Sequence, residues 1–112
     1  MTSNYELDYP VEKVWTACLH VINEIPNKGN LISVPEVKMF YIELKNFPLK
    51  YERLADMPIS FNVSLTVKNN KTIICLNSET FALQGLLGIN GYCLNAIAKF
   101  MQLLVEKLKV LR

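Results

Sequence analysis

The most regular hydrophobic pattern in the chain is an alternation that runs from residue 59 to residue 68. Every second side chain is apolar and the others are polar, which is typical of a β-strand with one buried face. Asn69 and Asn70 follow, and asparagine tolerates the positive φ angles of a tight hairpin turn. With that turn, three pairs face each other across a predicted hairpin: Leu65 with Ile74, Val63 with Leu76, and Phe61 with Ser78. The apolar pairs then share one face, as a buried face requires.

Three further segments are predicted to be extended. Residues 4–9 alternate, with Tyr5 and Leu7 on the apolar side. Residues 37–45 place Phe40, Ile42 and Leu44 on one face and Met39, Tyr41 and Glu43 on the other. Residues 49–57 lie between two prolines and are interpreted as a short edge strand followed by a loop.

Two segments carry apolar residues at spacings of three and four, which predicts amphipathic helices. The first helix has Pro10 at its first helical position, and a loop begins at Pro26 and Gly29. Its apolar stripe comprises Val11, Val14, Trp15, Cys18, Leu19 and Ile22. The second helix follows Gly91 and runs to Arg112, a length of about 30 Å at about 1.5 Å per residue. Its apolar stripe comprises Cys93, Ile97, Phe100, Met101, Leu104, Leu108 and Leu111.

The order of these elements predicts an α+β fold in which both helices lie on one face of an antiparallel sheet of five or six strands. The chain has 112 residues and is expected to form one domain, residues 1–112. Apolar residues make up 51% of it and charged residues 20%, a balance that excludes a disordered chain.

Charge and cysteine content exclude several classes of function. A net charge of +2 gives no reason to expect a nucleic-acid partner, which favours a clustered basic surface. The three cysteines are widely spaced and the chain has one histidine, so we expect neither disulfides nor a metal site, and no cofactor. The first eight residues have neither a basic nor an apolar region, so no signal peptide is expected, and no apolar run of about 18 residues occurs, so no membrane span is expected. The expected location is the cytoplasm.

Both ends of the chain resemble one family. Residues 9–15 (YPVEKVW) resemble the start of START-like (SRPBCC) helix-grip proteins, in which a strand leads through a proline-containing turn into a helix with a Val-Trp pair. Residues 85–91 (GLLGING), followed by a long helix, resemble the branch named after the G subunit of carbon monoxide dehydrogenase. The resemblance implies a curved sheet that grips the last helix and leaves an apolar cavity for a lipid, sterol, hormone or polyketide.

We therefore expect non-enzymatic binding of a small hydrophobic, lipid-like ligand between the sheet and the C-terminal helix. Sites of this kind are concave and mostly apolar, which agrees with the lack of a recognisable catalytic set. The expected ligand-binding residues face this interior from both layers: Trp15, Phe40, Ile42, Phe61, Val63, Leu65, Ile74, Leu76, Ile97, Phe100, Met101 and Leu104.

Two other functions remain open at this stage. The first is a protein–protein interaction module or a homodimer, with Ile73 and Cys75 as a patch on the face of the hairpin opposite the core. The second is a cyclase-like enzyme, as some similar proteins are, with Tyr41, Glu43 or Arg53 around a bound substrate.

Overall fold

The computed structural model describes residues 2–26, 28–44, 59–80 and 89–111, which contain five strands and two long helices. The elements are β1 (Thr2–Leu7), α1 (Val11–Glu24), β2 (Lys28–Val34), β3 (Met39–Leu44), β4 (Ile59–Lys68), β5 (Lys71–Thr80) and α2 (Ile89–Val110). The strands form one antiparallel sheet in the order β1-β5-β4-β3-β2. The predicted α+β fold is confirmed. The strand predicted at 49–57 lies outside the described residues.

The predicted β4–β5 hairpin is confirmed in its register. Leu65 pairs with Ile74, Val63 with Leu76 and Phe61 with Ser78. The turn residues Asn69 and Asn70 have φ angles of 52° and 64°, which suits the right-handed twist of a two-residue hairpin. The apolar side of this hairpin is buried beneath the helices, and we call that side of the sheet its helix face; the other side is its open face.

The prediction of a loop from Pro26 onward is wrong, because Lys28–Val34 form strand β2. All seven of its residues are exposed, so burial imposes no alternation on the sequence, and Leu31 and Ile32 are adjacent apolar residues. The strand exists because it pairs with β3, with a register shift between Lys28 and Leu31. A Cβ atom at Gly29 would lie 3.2 Å from Cβ of Glu43, so the two strands approach closely there.

The ends of β1 and β3 also differ from prediction. β3 starts at Met39 because Pro35–Val37 form a 3₁₀ turn and Lys38 has left-handed φ and ψ of 55° and 51°. β1 ends at Leu7, two residues before the predicted end. The hydroxyl of Thr72 donates a hydrogen bond to the carbonyl oxygen of Tyr9 at 2.7 Å, which holds the chain as it leaves the sheet.

Both helices lie on the helix face of the sheet and their apolar stripes form one hydrophobic core with it. Pro10 is the residue before α1 instead of its first helical residue. Ala17 and Val21 are buried as well, because α1 also packs against α2. α2 starts at Ile89, before Gly91, and ends at Val110, before the predicted Arg112.

Candidate ligand site between the sheet and the C-terminal helix

All twelve predicted ligand-binding residues are buried and belong to one hydrophobic cluster. They come from α1, β3, β4, β5 and α2: Trp15, Phe40, Ile42, Phe61, Val63, Leu65, Ile74, Leu76, Ile97, Phe100, Met101 and Leu104. The sequence pattern therefore identified which side chains the interior brings together. Their role in binding a ligand stays a prediction.

A row of aromatic rings crosses this interior. The ring centroids of Trp15 and Phe40 lie 6.0 Å apart, those of Phe40 and Phe100 6.4 Å, and those of Phe61 and Phe100 5.6 Å. All three pairs are tilted, an arrangement that aromatic quadrupoles favour. The row connects α1, β3, α2 and β4 through side chains alone.

The helices are not equally close to all strands. Cα atoms of α2 come within 8 Å of α1 and β5, and those of α1 come within 8 Å of α2, β4 and β5. Side chains of Trp15, Phe40 and Phe100 connect the two helices to β3.

The apolar interior approaches solvent at the β2 edge. Leu31 of β2 pairs with Ile42 of β3, so both side chains point to the helix face. Ile42 is fully buried, whereas Leu31 is 42% exposed. We call Leu31 the rim, since the apolar interior meets water there.

Lys38 covers another part of the interior at Trp15. Its ammonium nitrogen Nζ lies 5.8 Å from the centroid of the Trp15 ring and 3.2 Å from Oε1 of Glu12. The same group donates a hydrogen bond to the carbonyl oxygen of Pro35 at 2.9 Å. The aliphatic stem can cover apolar surface while the charge stays in contact with water, so Lys38 joins the 3₁₀ turn to α1.

The described interior carries few groups for acid–base or nucleophilic chemistry. Burial raises the pKa of the Cys18 thiol to about 12, so it stays neutral and unreactive near neutral pH. The three cysteines are all free thiols. Among the described residues, no group of three His, Cys, Asp or Glu side chains is placed to hold a metal ion.

The residues considered for enzyme chemistry lie elsewhere. Tyr41 and Glu43 point to the open face, away from the aromatic row. Partial burial raises the pKa of the Tyr41 phenol, and the nearby Glu43 carboxylate raises it further. Nδ2 of Asn30 donates a hydrogen bond to Oε1 of Glu43 at 3.2 Å. Arg53 lies outside the described residues.

The most exposed apolar residues of the open face lie on β2 and β3 and not on β5, where the sequence predicted an apolar patch. Ile73 and Cys75, the predicted patch, are only half-buried and lie on the central β5 strand. The most exposed apolar side chains of this face are Ile32, Val34 and Met39, at the β2–β3 edge. Sequence reasoning placed Met39 on this face but missed Ile32 and Val34, because a loop was predicted from Pro26 onward; the adjacent pair Leu31–Ile32 was the available signal.

Two surface clefts in the described part of the chain lie away from the predicted residues. One, of about 410 Å³, lies between the C-terminal ends of α1 and α2. It is lined by Val21, Glu24, Ile25, Pro26, Leu103, Glu106, Lys107 and Val110. An ion pair between Lys107 and Glu24 lies at this cleft. The other, of about 460 Å³, lies between the start of α1 and the β4–β5 turn.

No helix within the described residues is long and apolar enough to cross a membrane. The prediction of a cytoplasmic location stays a prediction.

Comparison with known proteins supports the fold. No protein-family model matches the chain, and no curated protein matches it in sequence. Among solved structures, protein MLL2253 from Mesorhizobium loti is similar, with a TM-score of 0.62 and 17% identity over 97% of both chains. CalU16 from Micromonospora echinospora has a TM-score of 0.52 and 17% identity, over 96% of this chain and 82% of its own. At this identity the similarity establishes a shared fold.

Proposed function

We propose that this protein binds a small hydrophobic molecule, without catalysis, between α2 and β3, a region that we call the wedge. The ligand lies beside the aromatic row of Trp15, Phe40 and Phe100 and reaches solvent at the rim. The supporting observation is the aromatic row of Trp15, Phe40 and Phe100 inside one apolar cluster, next to the exposed Leu31 of the neighbouring strand.

The chemistry of the wall suits such a ligand. Phe40, Phe61 and Phe100 contribute aromatic rings to this interior, and Ile42 contributes an aliphatic side chain. Apolar area removed from water contributes about 25 cal/mol per Å², so a lipid-like chain gains affinity without any charged partner. The START-like resemblance of residues 9–15 and 85–91 favours the same interpretation, since such proteins hold apolar ligands between their sheet and last helix.

Titration with a fluorescent fatty acid, together with three aspartate variants, tests this proposal. Leu31→Asp places a charge at the rim, and we expect it to weaken binding by about tenfold or more, because an approaching apolar chain desolvates the carboxylate. Val67→Asp changes an exposed valine at the far end of β4. Val110→Asp changes an exposed valine in the cleft between the helix ends.

The expected result is saturable binding by the wild type, a large loss in Leu31→Asp and unchanged affinity in the two valine variants. Circular dichroism confirms that each variant is folded. Loss of binding in Val110→Asp with normal binding in Leu31→Asp would assign the ligand to the cleft and refute the wedge. Absence of saturable binding by the wild type also refutes the proposal.

A further inference from the structure

Lys38 places a positive charge at one end of the aromatic row. Its Nζ atom lies 5.8 Å from the centroid of the Trp15 ring, and its side chain is only 21% exposed. Lys13, a second lysine over a ring, lies instead 4.9 Å from the centroid of Tyr9, which is not part of the row. A charge that is partly removed from water interacts more strongly with an opposite charge than a fully solvated one does. The border of the apolar interior at Trp15 therefore favours an anionic group.

The backbone fixes the position of this charge. The N–H group of Lys38 donates a hydrogen bond to the carbonyl oxygen of Pro35 at 3.2 Å, and its own carbonyl oxygen accepts one from the N–H group of Leu65 at 3.0 Å. Lys38 also has a φ of 55°, whereas the other two described non-glycine residues with positive φ are asparagines. Glycine or asparagine adopts this conformation more easily than lysine does. A lysine at this position therefore points to a role for its side chain.

The ammonium group of Lys38 has more hydrogen-bonding capacity than its described partners use. It carries three N–H donors. The carbonyl oxygen of Pro35 accepts from it at 2.9 Å, and Oε1 of Glu12 lies 3.2 Å away, but no third acceptor is found for it among the described residues. The side chain of Glu12 is 76% exposed, and exposed ion pairs are weak. A second carboxylate can therefore approach Nζ without first breaking a strong contact.

We propose that the hydrophobic ligand is a carboxylic acid with an apolar chain, and that Lys38 binds its carboxylate. The chain lies along Trp15, Phe40 and Phe100, with the carboxylate beside Nζ. Ser33 follows the rim on the helix face of β2, about 7 Å along the strand, and its exposed side chain lies opposite Phe40. Its hydroxyl can donate a second hydrogen bond to the carboxylate. This proposal rests on the proposed function, because it names the class of ligand for the same wedge.

Isothermal titration calorimetry with decanoic acid and with decanol tests the role of the carboxylate, because the two molecules share one chain and differ in the head group. At about pH 8 the acid is ionised. Lys38→Met keeps an unbranched apolar side chain over Trp15 and removes the charge. We expect it to weaken binding of the acid about tenfold and to leave binding of the alcohol unchanged. Lys13→Met is the matched control, since it removes a charge over Tyr9, and it should change neither affinity.

Glu12→Gln tests the competition for the same ammonium group. It removes the negative charge beside Nζ of Lys38, so the acid should bind about two- to threefold more tightly and the alcohol as before. Added salt should weaken binding of the acid by the wild type, because it screens the charges. Circular dichroism confirms that each variant is folded.

The outcomes separate this proposal from the proposed function. Equal losses for acid and alcohol in Lys38→Met would mean that the side chain acts through its apolar stem, and they refute the carboxylate pair. An unchanged affinity for the acid in Lys38→Met also refutes it, while saturable binding of both molecules upholds the proposed function. An equal loss of acid binding in Lys13→Met refutes a specific pair in favour of general electrostatic attraction. Absence of binding by both molecules refutes both proposals.

Discussion

Replacing Phe100 by alanine removes the ring that connects α2 to β3 and β4. Phe100 is fully buried, and its ring centroid lies 6.4 Å from that of Phe40 and 5.6 Å from that of Phe61. The variant loses the burial of the ring and leaves a cavity bordered by two further rings, which cannot close without movement of β3 or β4. Both effects lower the free energy of unfolding.

The magnitude follows from the burial of Phe100. Truncation of a fully buried phenylalanine to alanine costs about 3–5 kcal/mol, against a total stability of about 5–15 kcal/mol for a typical domain. At about 4 °C per kcal/mol for a domain of this size, the midpoint of thermal unfolding should fall by about 12–20 °C. Lys99→Ala is the control: it changes an exposed neighbour on the same helix, and its effect should stay within about 0.5 kcal/mol.

Urea unfolding followed by circular dichroism and by the fluorescence of Trp15 measures both variants. A loss of less than about 1 kcal/mol in Phe100→Ala would mean that the ring is not packed as described. Such a result would contradict the packing of Phe100 against Phe40 and Phe61.

Other expected outcomes concern Lys38 and the cysteines. Lys38→Ala should be less stable than Lys38→Gly by about 0.5–1 kcal/mol in urea unfolding, because only glycine adopts the left-handed backbone without strain; equal stability contradicts this. Burial raises the pKa of the Cys18 thiol from its ordinary value of 9.0 to about 12, so the stability that the neutral thiol contributes is complete below pH 9 and is lost as the pH rises toward 12; Cys18→Val should reduce the loss of stability over this range. An aromatic disulfide reagent should modify half-buried Cys75 in the native protein before buried Cys18 or Cys93, and simultaneous modification of all three is the contrary result.

The parts of the fold that sequence predicted are those in which burial controls the pattern. β4 alternates without interruption because one of its faces lies under the helices, and Asn69 and Asn70 fix the turn that follows it. These local signals determined the register down to Leu65 opposite Ile74. The burial of Trp15 and Phe100 was predictable for the same reason, since each lies on the apolar stripe of an amphipathic helix.

The parts that sequence missed depend on contacts between distant segments. β2 has no buried face, so nothing in its own residues separates it from a loop, and its pairing with β3 makes it a strand. The left-handed conformation of Lys38 is unusual for a lysine and has no local sequence signal. The position of α2 on the sheet, close to β5, is also not specified by an apolar stripe alone.

Quenching of the single tryptophan by a brominated fatty acid tests the central claim most directly. Trp15 is the only tryptophan of the chain and lies in the aromatic row, in contact with Phe40. Bromine quenches the fluorescence of an indole only at short range. Quenching of Trp15 therefore shows that the brominated chain lies close to it, between α2 and β3. We predict saturable quenching by the brominated chain and little quenching by the same chain without bromine. Quenching that rises linearly with concentration, or none at all, contradicts an apolar ligand between α2 and β3.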